Sequence, residues 1–259
     1  QGNIRNYGTG EVRFEAPQIT PESTATKPSE VYKPGATLDR TLEYGGKTVP
    51  IYRDRPLNVF SDVDFIWTDE ENENQRRLEY LGGEFRTRYG IDVSSFQGEI
   101  DWDAVADDNI DFAMVRVGFR GTGTGSLNTD KYYEQNIRGA MRAGLETGVY
   151  FFAQAVTVEE AIEEADYVIS LLDGLDINGP VAYDWEMHDS TYRVYGTSPE
   201  MATACAVAFC QRIKDAGYTP MVYGGTYVTY MKYDQGALAD YLSWYPEYKS
   251  EKSEKLCPT

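Results

Sequence analysis

The chain has few of the residues that build metal sites and disulfide frameworks. Its 259 residues include one histidine, His188, and three cysteines. Cys205 and Cys210 lie five positions apart on a predicted helix and so do not share a face, which predicts buried thiols rather than a disulfide. No second histidine or cysteine cluster has the spacing of zinc ligands, and no G-x-S-x-G nucleophile elbow is present. We therefore expect neither a metal site nor a Ser-His-Asp arrangement.

Positive charge and long apolar runs are also scarce. The chain has 42 acidic and 24 basic residues, for a net charge of −18. Residues 1–88 contain 15 acidic and 12 basic residues, whereas residues 89–259 contain 27 and 12. The acidic second part would repel phosphate backbones, which argues against a nucleic-acid partner. No stretch reaches the 18 apolar residues that predict a membrane-spanning helix.

The first 88 residues differ from the rest in composition and in hydrophobic periodicity. Residues 1–38 are rich in Pro, Thr, Ser and Gly without a helical or strand period, which predicts a flexible, linker-like segment. Residues 39–88 are predicted to form a small β-rich prefix. In this prefix, TLEYGGKTVPIY indicates a hairpin across Gly45 and Gly46. Residues 69–74 are predicted to form an acidic loop, and RRLEYLGGEF is predicted to form a further strand or turn.

From residue 89 onward, short apolar runs alternate with helical patterns. Apolar composition of 41% provides enough material for a large core. A short helix is predicted after Asp101, and Thr157 with Glu160 is predicted to form a capping box. The spacing indicates βα units and a parallel sheet, closed as a barrel or left open. We predict strands over 89–93, 112–118, 148–154, 180–185, 219–224 and 242–245, and helices over 129–143, 157–172 and 198–216.

Three carboxylates lie at the carboxyl ends of these strands. Asp92 lies near the end of the first strand, and Asp184 and Glu186 lie at the end of the fourth. Reactive groups of βα barrels lie at the carboxyl ends of the strands, so we expect all three at one mouth. Acids two residues apart point to the same side, roughly 6.6 Å apart along the backbone. That spacing suits both retaining and inverting sugar hydrolysis, and it is also common at the start of a solvated loop.

Two like charges at this range are expected to divide their roles. Repulsion raises the pKa of the less solvated acid, which then keeps its proton and can act as a general acid. Glu186 has the longer reach and stands at the exit of the strand, so we assign it the acid. Asp184 is then expected to stay ionised, to stabilise positive charge or orient a substrate N-acetyl group.

Several motifs in order resemble glycoside hydrolase family 25, the Chalaropsis-type lysozymes. They begin with YGIDVSSFQGEIDW at residues 89–102 and continue through FAMVRVGFRG, AGLETGVYFFAQAVTVEEAIEEADYVI, GPVAYDWE, GYTPMVYGG and LSWY, covering about residues 89–248. The resemblance implies an irregular TIM-like β/α barrel and cleavage of the β-1,4 bond between N-acetylmuramic acid and N-acetylglucosamine, without a cofactor. It matches Asp92, Asp184 and Glu186 to the family's acids and makes Glu186 the proton donor.

The sequence departs from the family at its end. Family members continue into final strands that carry a W-Q-Y run and a D-x-N motif, whereas this sequence ends EYKSEKSEKLCPT. The resemblance therefore predicts an α/β fold with a barrel that is incomplete at its C-terminus and preceded by the β-rich extension. Residues 89–259 are expected to be the catalytic domain.

Aromatic and polar side chains near the strand ends are candidates for substrate contact. Tyr223, Trp244, Phe119 and Gln154 are predicted to bind the glycan, with packing in the barrel core or a lid as the alternative. His188 is expected to be a loop residue near the cleft without a chemical role.

The resemblance also suggests a partner and a place of action. It implies bacterial cell-wall glycan as the partner, and a secreted or wall-associated protein, tethered through the N-terminal segment. Two alternatives stay open: a non-catalytic glycan-binding or scaffold protein with a degenerate cleft, and a hydrolase of another N-acetylhexosamine polymer.

Overall fold

The computed structural model describes residues 25–44, 46–52, 65–68, 77–83 and 85–246. The predicted acidic loop at 69–74, Cys257 and residues 1–24 of the predicted linker lie outside them. In chain order the elements are α1 (Pro28–Val31), β1 (Thr37–Tyr44), β2 (Lys47–Tyr52), β3 (Phe65–Thr68), β4 (Arg77–Tyr80), β5 (Gly90–Val93), a 3-10 helix (Ser95–Gln97), α2 (Trp102–Asp107), β6 (Phe112–Arg120), β7 (Leu127–Thr129), α3 (Tyr133–Arg142), β8 (Glu146–Ala153), α4 (Val158–Leu171), β9 (Val181–Trp185), α5 (Pro199–Asp215), β10 (Pro220–Tyr223), α6 (Thr226–Met231) and β11 (Leu242–Trp244).

One curled sheet carries the main domain. Its strands lie in the order β11-β10-β9-β8-β6-β5, all parallel, and β7 pairs antiparallel with the end of β6. Spatial order follows chain order, as in a β/α barrel, and within the described residues the edge strands β5 and β11 do not pair with each other. The predicted α/β, barrel-like fold is therefore confirmed, in the form of a half-barrel.

The central strand is buried on both faces. All five residues of β9 are buried, which is typical of a parallel strand covered by helices. Helix α5 covers one face, where the ring of Phe209 packs 4.7 Å from that of Tyr183. Cys205 and Cys210 are buried free thiols on this helix, and burial raises the pKa of both. The prediction of buried thiols is confirmed, and their burial keeps them in the unreactive thiol form.

Side chains at helix starts account for most of the predicted boundaries. The Thr157 hydroxyl accepts a hydrogen bond from the Glu160 N–H at 3.3 Å, as predicted. The reciprocal half of the capping box is absent, because the Glu160 carboxylate accepts instead from the Val156 N–H and from Arg193. The helix predicted from residue 129 begins at Tyr133, since residues 127–129 pair with β6 as β7.

The N-terminal residues lie against the half-barrel. β1 and β2 form an antiparallel hairpin, as predicted, and β3 and β4 form a second one. Part of the predicted linker is also anchored: the Thr26 N–H donates to Glu159 at 2.8 Å and the Gly35 N–H to Asp234 at 2.9 Å. Residues 25–36 are therefore held by the main domain, which differs from the expectation of a flexible segment. No helix of the described residues is both long and apolar enough to cross a membrane.

A close contact between α2 and α3 gives a test of the packing. A Cβ atom at Gly139 would lie 2.2 Å from Cδ1 of Trp102, whose side chain is buried. We expect Gly139→Ala to lower the free energy of unfolding by about 1–3 kcal/mol through overpacking, although alanine is the better helix former. Urea unfolding measures this. The control is Gly123→Ala, where a Cβ would have open space. Equal or greater stability of Gly139→Ala would contradict the packing.

Candidate active site

A half-open cavity of about 520 Å³ lies at the carboxyl ends of the parallel strands. Five of the residues predicted from sequence line it together: Asp92, Asp184, Glu186, Tyr223 and Trp244. Phe119 and Gln154 are not among its lining residues. The complete lining is Asp92, Ser94, Phe96, Gln97, Arg116, Tyr150, Phe152, Asp184, Glu186, Tyr223, Trp244, Tyr245 and Pro246.

Strand register brings the acids together. Asp184 in β9 pairs with Phe152 of β8 and Tyr223 of β10, so these side chains belong to one layer at the mouth of the half-barrel. Glu186 follows two residues later, just beyond the end of β9, and Asp92 enters from β5. The three acids differ in exposure: Asp184 is 8% exposed, the Glu186 side chain 25%, and Asp92 is an exposed residue.

Asp184 has the most perturbed environment of the three. Burial raises its pKa well above the ordinary value, the charges of Glu186 and Asp92 raise it further, and Arg116 opposes them in part. Its Oδ1 atom is buried and has no hydrogen-bond partner within the described residues. The structure therefore reverses the expected order, in which Glu186 was the less solvated acid. The reason is position: Asp184 lies inside a central strand, whereas Glu186 lies beyond its end.

Arg116 places positive charge in this acidic cavity. Its Nε and Nη2 atoms donate to Oδ2 of Asp130 at 2.9 and 2.8 Å, and Nη2 also donates to the Ser95 hydroxyl at 3.2 Å. The Asp130 side chain is fully buried. Burial alone would raise the pKa of Asp130, but hydrogen bonds from the N–H groups of Ser95 and Tyr132 and the Arg116 guanidinium hold it below the ordinary value. The ionised Asp130 thereby fixes both Arg116 and the loop after β5.

Gln154 contacts the backbone next to the acids instead of the cavity. Its fully buried side chain donates from Nε2 to the carbonyl oxygen of Glu186 at 2.8 Å. Its own N–H donates to Oε1 of Glu164 at 3.0 Å, and its carbonyl accepts from Arg193 at 2.9 Å. The expected substrate contact is thus corrected: the chain turns inward after β8, and Gln154 holds the Glu186 backbone in place.

Phe119 is the other predicted contact that is not among the lining residues. It pairs with Phe152 of β8, which does line the cavity, and with Asn128 of β7. Its ring lies 5.4 Å from the Arg116 guanidinium, so Phe119 contacts the cavity through Arg116.

A buried ionic cluster supports the loops around the cavity. Glu164 of α4 accepts from Nε of Arg120 at 2.7 Å as well as from Gln154. Burial raises the pKa of Glu164 to about 7, although Arg120 and the Gln154 N–H lower it. Arg193 pairs with Glu160 at 2.7 Å, and its N–H donates to the Thr122 carbonyl. The loop after β6 is thereby joined to the loop after β9.

In the sequence Tyr150 is a strand-end aromatic and a weaker candidate for substrate contact than Tyr223 and Trp244, and the structure places it at the cavity. Burial raises the pKa of its hydroxyl, Arg116 lowers that pKa in part, and Asp92 raises it further. Alternation along β8 could have placed Tyr150 on the same side as Phe152. His188, predicted to have no chemical role, has its Nε2 atom 3.4 Å from Oε2 of Glu186. Phe96 also lines the cavity; its aromatic ring within the opening motif was the signal available.

The burial of Asp184 predicts a pH-dependent effect on stability. An aspartate in the unfolded chain loses its proton near the ordinary value of 3.8, whereas folded Asp184 holds it to higher pH. The stability that this proton provides is complete below about pH 4 and declines as pH rises toward the raised folded pKa. Asp184→Asn removes this decline in stability, because asparagine does not titrate. The melting temperature of the variant minus that of the unchanged chain should therefore increase from pH 4 to pH 8.

Thermal unfolding across that pH range measures the effect. The matched control is Asp173→Asn, because Asp173 is an exposed acid in the turn after α4. A difference between the melting temperatures of Asp184→Asn and the unchanged chain that stays constant with pH would contradict the raised pKa of Asp184.

Comparison with known proteins agrees with this architecture. The chain is 26% identical over 164 residues to the autolytic lysozyme of Clostridium acetobutylicum, a match that covers 63% of this chain and 46% of that protein. The chain therefore spans about half the length of this curated relative.

Solved structures show the same fold at low identity. The spore cortex lytic enzyme SleM of Clostridium perfringens is similar with a TM-score of 0.54 at 22% identity, covering 65% of this chain and 55% of that one. The muramidase of Trichobolus zukalii gives a TM-score of 0.51 at 22% identity, covering 66% and 82%. The sequence of residues 91–257 matches the family described as glycosyl hydrolases family 25. With that match over more than half its length, the chain belongs to glycosyl hydrolase family 25.

Proposed function

We propose that this chain hydrolyses the glycan strands of bacterial peptidoglycan at the β-1,4 bond between N-acetylmuramic acid and N-acetylglucosamine. The observation that carries the proposal is the meeting of three acids of unequal exposure, Asp92, Asp184 and Glu186, in one cavity. Glycosidases need carboxyl groups in both protonated and ionised forms at the same bond. Family membership and a relative named as a lysozyme support the wall glycan as substrate.

Glu186 is the proposed proton donor to the leaving oxygen. It stands beyond the strand end with a quarter of its side chain exposed, where it can reach a bound glycan. Burial and the charges of Glu186 and Asp92 raise the pKa of Asp184, the more buried acid. Glu186 has 25% of its side chain exposed, against 8% for Asp184, and therefore has the freer access to a leaving oxygen.

Asp184 is the proposed orienting group for the substrate's acetamido side chain. A carboxyl group that tends to hold its proton is a poor nucleophile, which favours the acetamido oxygen as the group that attacks the anomeric carbon. The C–O bond to the leaving sugar breaks as Glu186 donates its proton. Water then attacks the anomeric carbon and breaks its bond to the acetamido oxygen, which regenerates the acetamido group, while the Glu186 carboxylate takes a proton from that water.

The domain boundaries and the place of action belong to the same proposal. Residues 89–259 are the proposed catalytic domain, and the described part of residues 25–88 packs against it as a prefix. A wall-glycan substrate places the activity outside the cell membrane, secreted or wall-associated, and residues 1–24 would provide the tether. Three acids in one cavity favour catalysis over the alternative of a non-catalytic glycan-binding protein.

Replacing the proton donor tests the proposal. Purified peptidoglycan incubated with the chain should release soluble fragments that carry N-acetylmuramic acid at the reducing end, as identified by mass spectrometry. Glu186→Gln keeps the size of the side chain but cannot give up a proton, so release should fall by about 10²- to 10⁴-fold. Folding, followed by circular dichroism, should be unchanged.

The matched control is Glu134→Gln, which alters an exposed acid on α3 that pairs with Arg138 away from the cavity. It should release fragments at the rate of the unchanged chain. Full activity of Glu186→Gln would remove Glu186 from the acid role. Peptidoglycan retention without fragments from the unchanged chain would favour the binding protein, and fragments ending in N-acetylglucosamine would identify a different bond specificity.

A further inference from the structure

Phe96 is unusually exposed for a large apolar side chain. It is 84% exposed, more than any other of the large hydrophobic side chains exposed in the described residues. It nevertheless lines the cavity that contains the acids. An aromatic ring that folding leaves in water at the rim of a ligand cavity is available to bind a ligand face.

The backbone under Phe96 is firmly held. Phe96 lies in the 3-10 helix after β5, where its N–H donates to the Ser94 hydroxyl at 3.2 Å. The Ser94 N–H donates to Oε1 of Gln97 at 2.8 Å, and the Ser95 N–H donates to the buried carboxylate of Asp130 at 2.9 Å. The ring is therefore presented from a fixed loop, and little conformational entropy is lost when a ligand packs on it.

The ring is also supported from the cavity side. The Arg116 guanidinium carbon lies 5.0 Å from the Phe96 ring centroid, within the range of a cation–π contact. Asp130 holds that guanidinium through two hydrogen bonds. Because so much of the ring remains exposed, this support still leaves area for a flat partner.

The position of Phe96 separates it from the bond to be cleaved. It follows β5 at one edge of the sheet, whereas Asp184 and Glu186 lie at the end of β9, three strands away. At about 4.8 Å for each strand spacing, this is roughly 14 Å along the sheet. Trp244, the last residue of β11, and Pro246, which follows it, line the cavity at the other edge. The cavity thus extends from Phe96 at the β5 edge to the β11 edge of the sheet.

We propose that Phe96 is a stacking platform for a pyranose ring of the glycan strand, remote from the point of cleavage. The inference rests on the proposed glycan substrate and adds a binding subsite at the β5 edge. The apolar face of a β-linked N-acetylhexosamine packs on the exposed ring, while the flanking acids act on a bond nearer the centre of the sheet. Phe96 thus sets affinity for long strands and leaves the chemical step unchanged.

Steady-state kinetics on glycan strands of defined length test this subsite. Phe96→Ala should raise KM for long strands by about tenfold with little change in kcat, while short oligomers that span only the cleavage point are cleaved as before. Phe96→Trp, which retains a flat aromatic face, should restore the KM for long strands, and Phe96→Leu should not. The melting temperature of Phe96→Ala should stay unchanged, since the side chain is exposed.

The control is Phe85→Ala, the same substitution at a phenylalanine that is 54% exposed and does not line the cavity. Binding of long glycan strands is measured in parallel in the Glu186→Gln background, so the subsite is judged even without turnover. Weaker binding with Phe96→Ala but not with Phe85→Ala supports the platform. Equal binding and equal KM for the unchanged chain, Phe96→Ala and Phe85→Ala would overturn the platform. If the unchanged chain binds long strands through Phe96 but does not cleave them, only the proposed hydrolysis is overturned.

Discussion

The burial of the Asp184 carboxyl in the middle of the sheet is the constraint on which the site depends. β9 lies between β8 and β10, and Asp184, its penultimate residue, is flanked by both strands and only 8% exposed. With Glu186 and Asp92 near it, the carboxyl retains its proton above the ordinary range. The same strand end delivers Glu186 to a more open position. One short segment thereby provides two acids in different environments, which acid/base chemistry at a sugar requires.

Buried polar side chains fix the backbone at the end of β9, although a stable hydrophobic core would not need them. Gln154 fixes the carbonyl of Glu186, and Glu164 and Arg120 in turn hold the backbone at Gln154. Each of these groups is buried, and each loses hydration that only its partners replace. Buried charges are usually neutral or costly for stability, so their presence next to the cavity is better explained by positioning of the strand end.

Much of the site could be predicted from the sequence because a parallel sheet brings the carboxyl ends of its strands together. That rule predicts that Asp92, Asp184, Glu186, Tyr223 and Trp244 surround one cavity, and all five line it. It could not rank the acids by burial, since that ranking depends on where β9 ends in three dimensions. Pairings between distant segments were equally hidden: β7 pairs with the end of β6, and Asp130, just after β7, forms an ion pair with Arg116.

Infrared difference spectroscopy of the Asp184 carboxyl tests the account most directly. The carbonyl stretch of a protonated carboxylic acid is compared between the unchanged chain and Asp184→Asn from pH 4 to pH 8. The account predicts a protonated-acid band that persists well above pH 4 and is absent from the variant, while any band from Glu164 is common to both. A band that disappears near pH 4, as for a solvated aspartate, would contradict the central role of this buried proton.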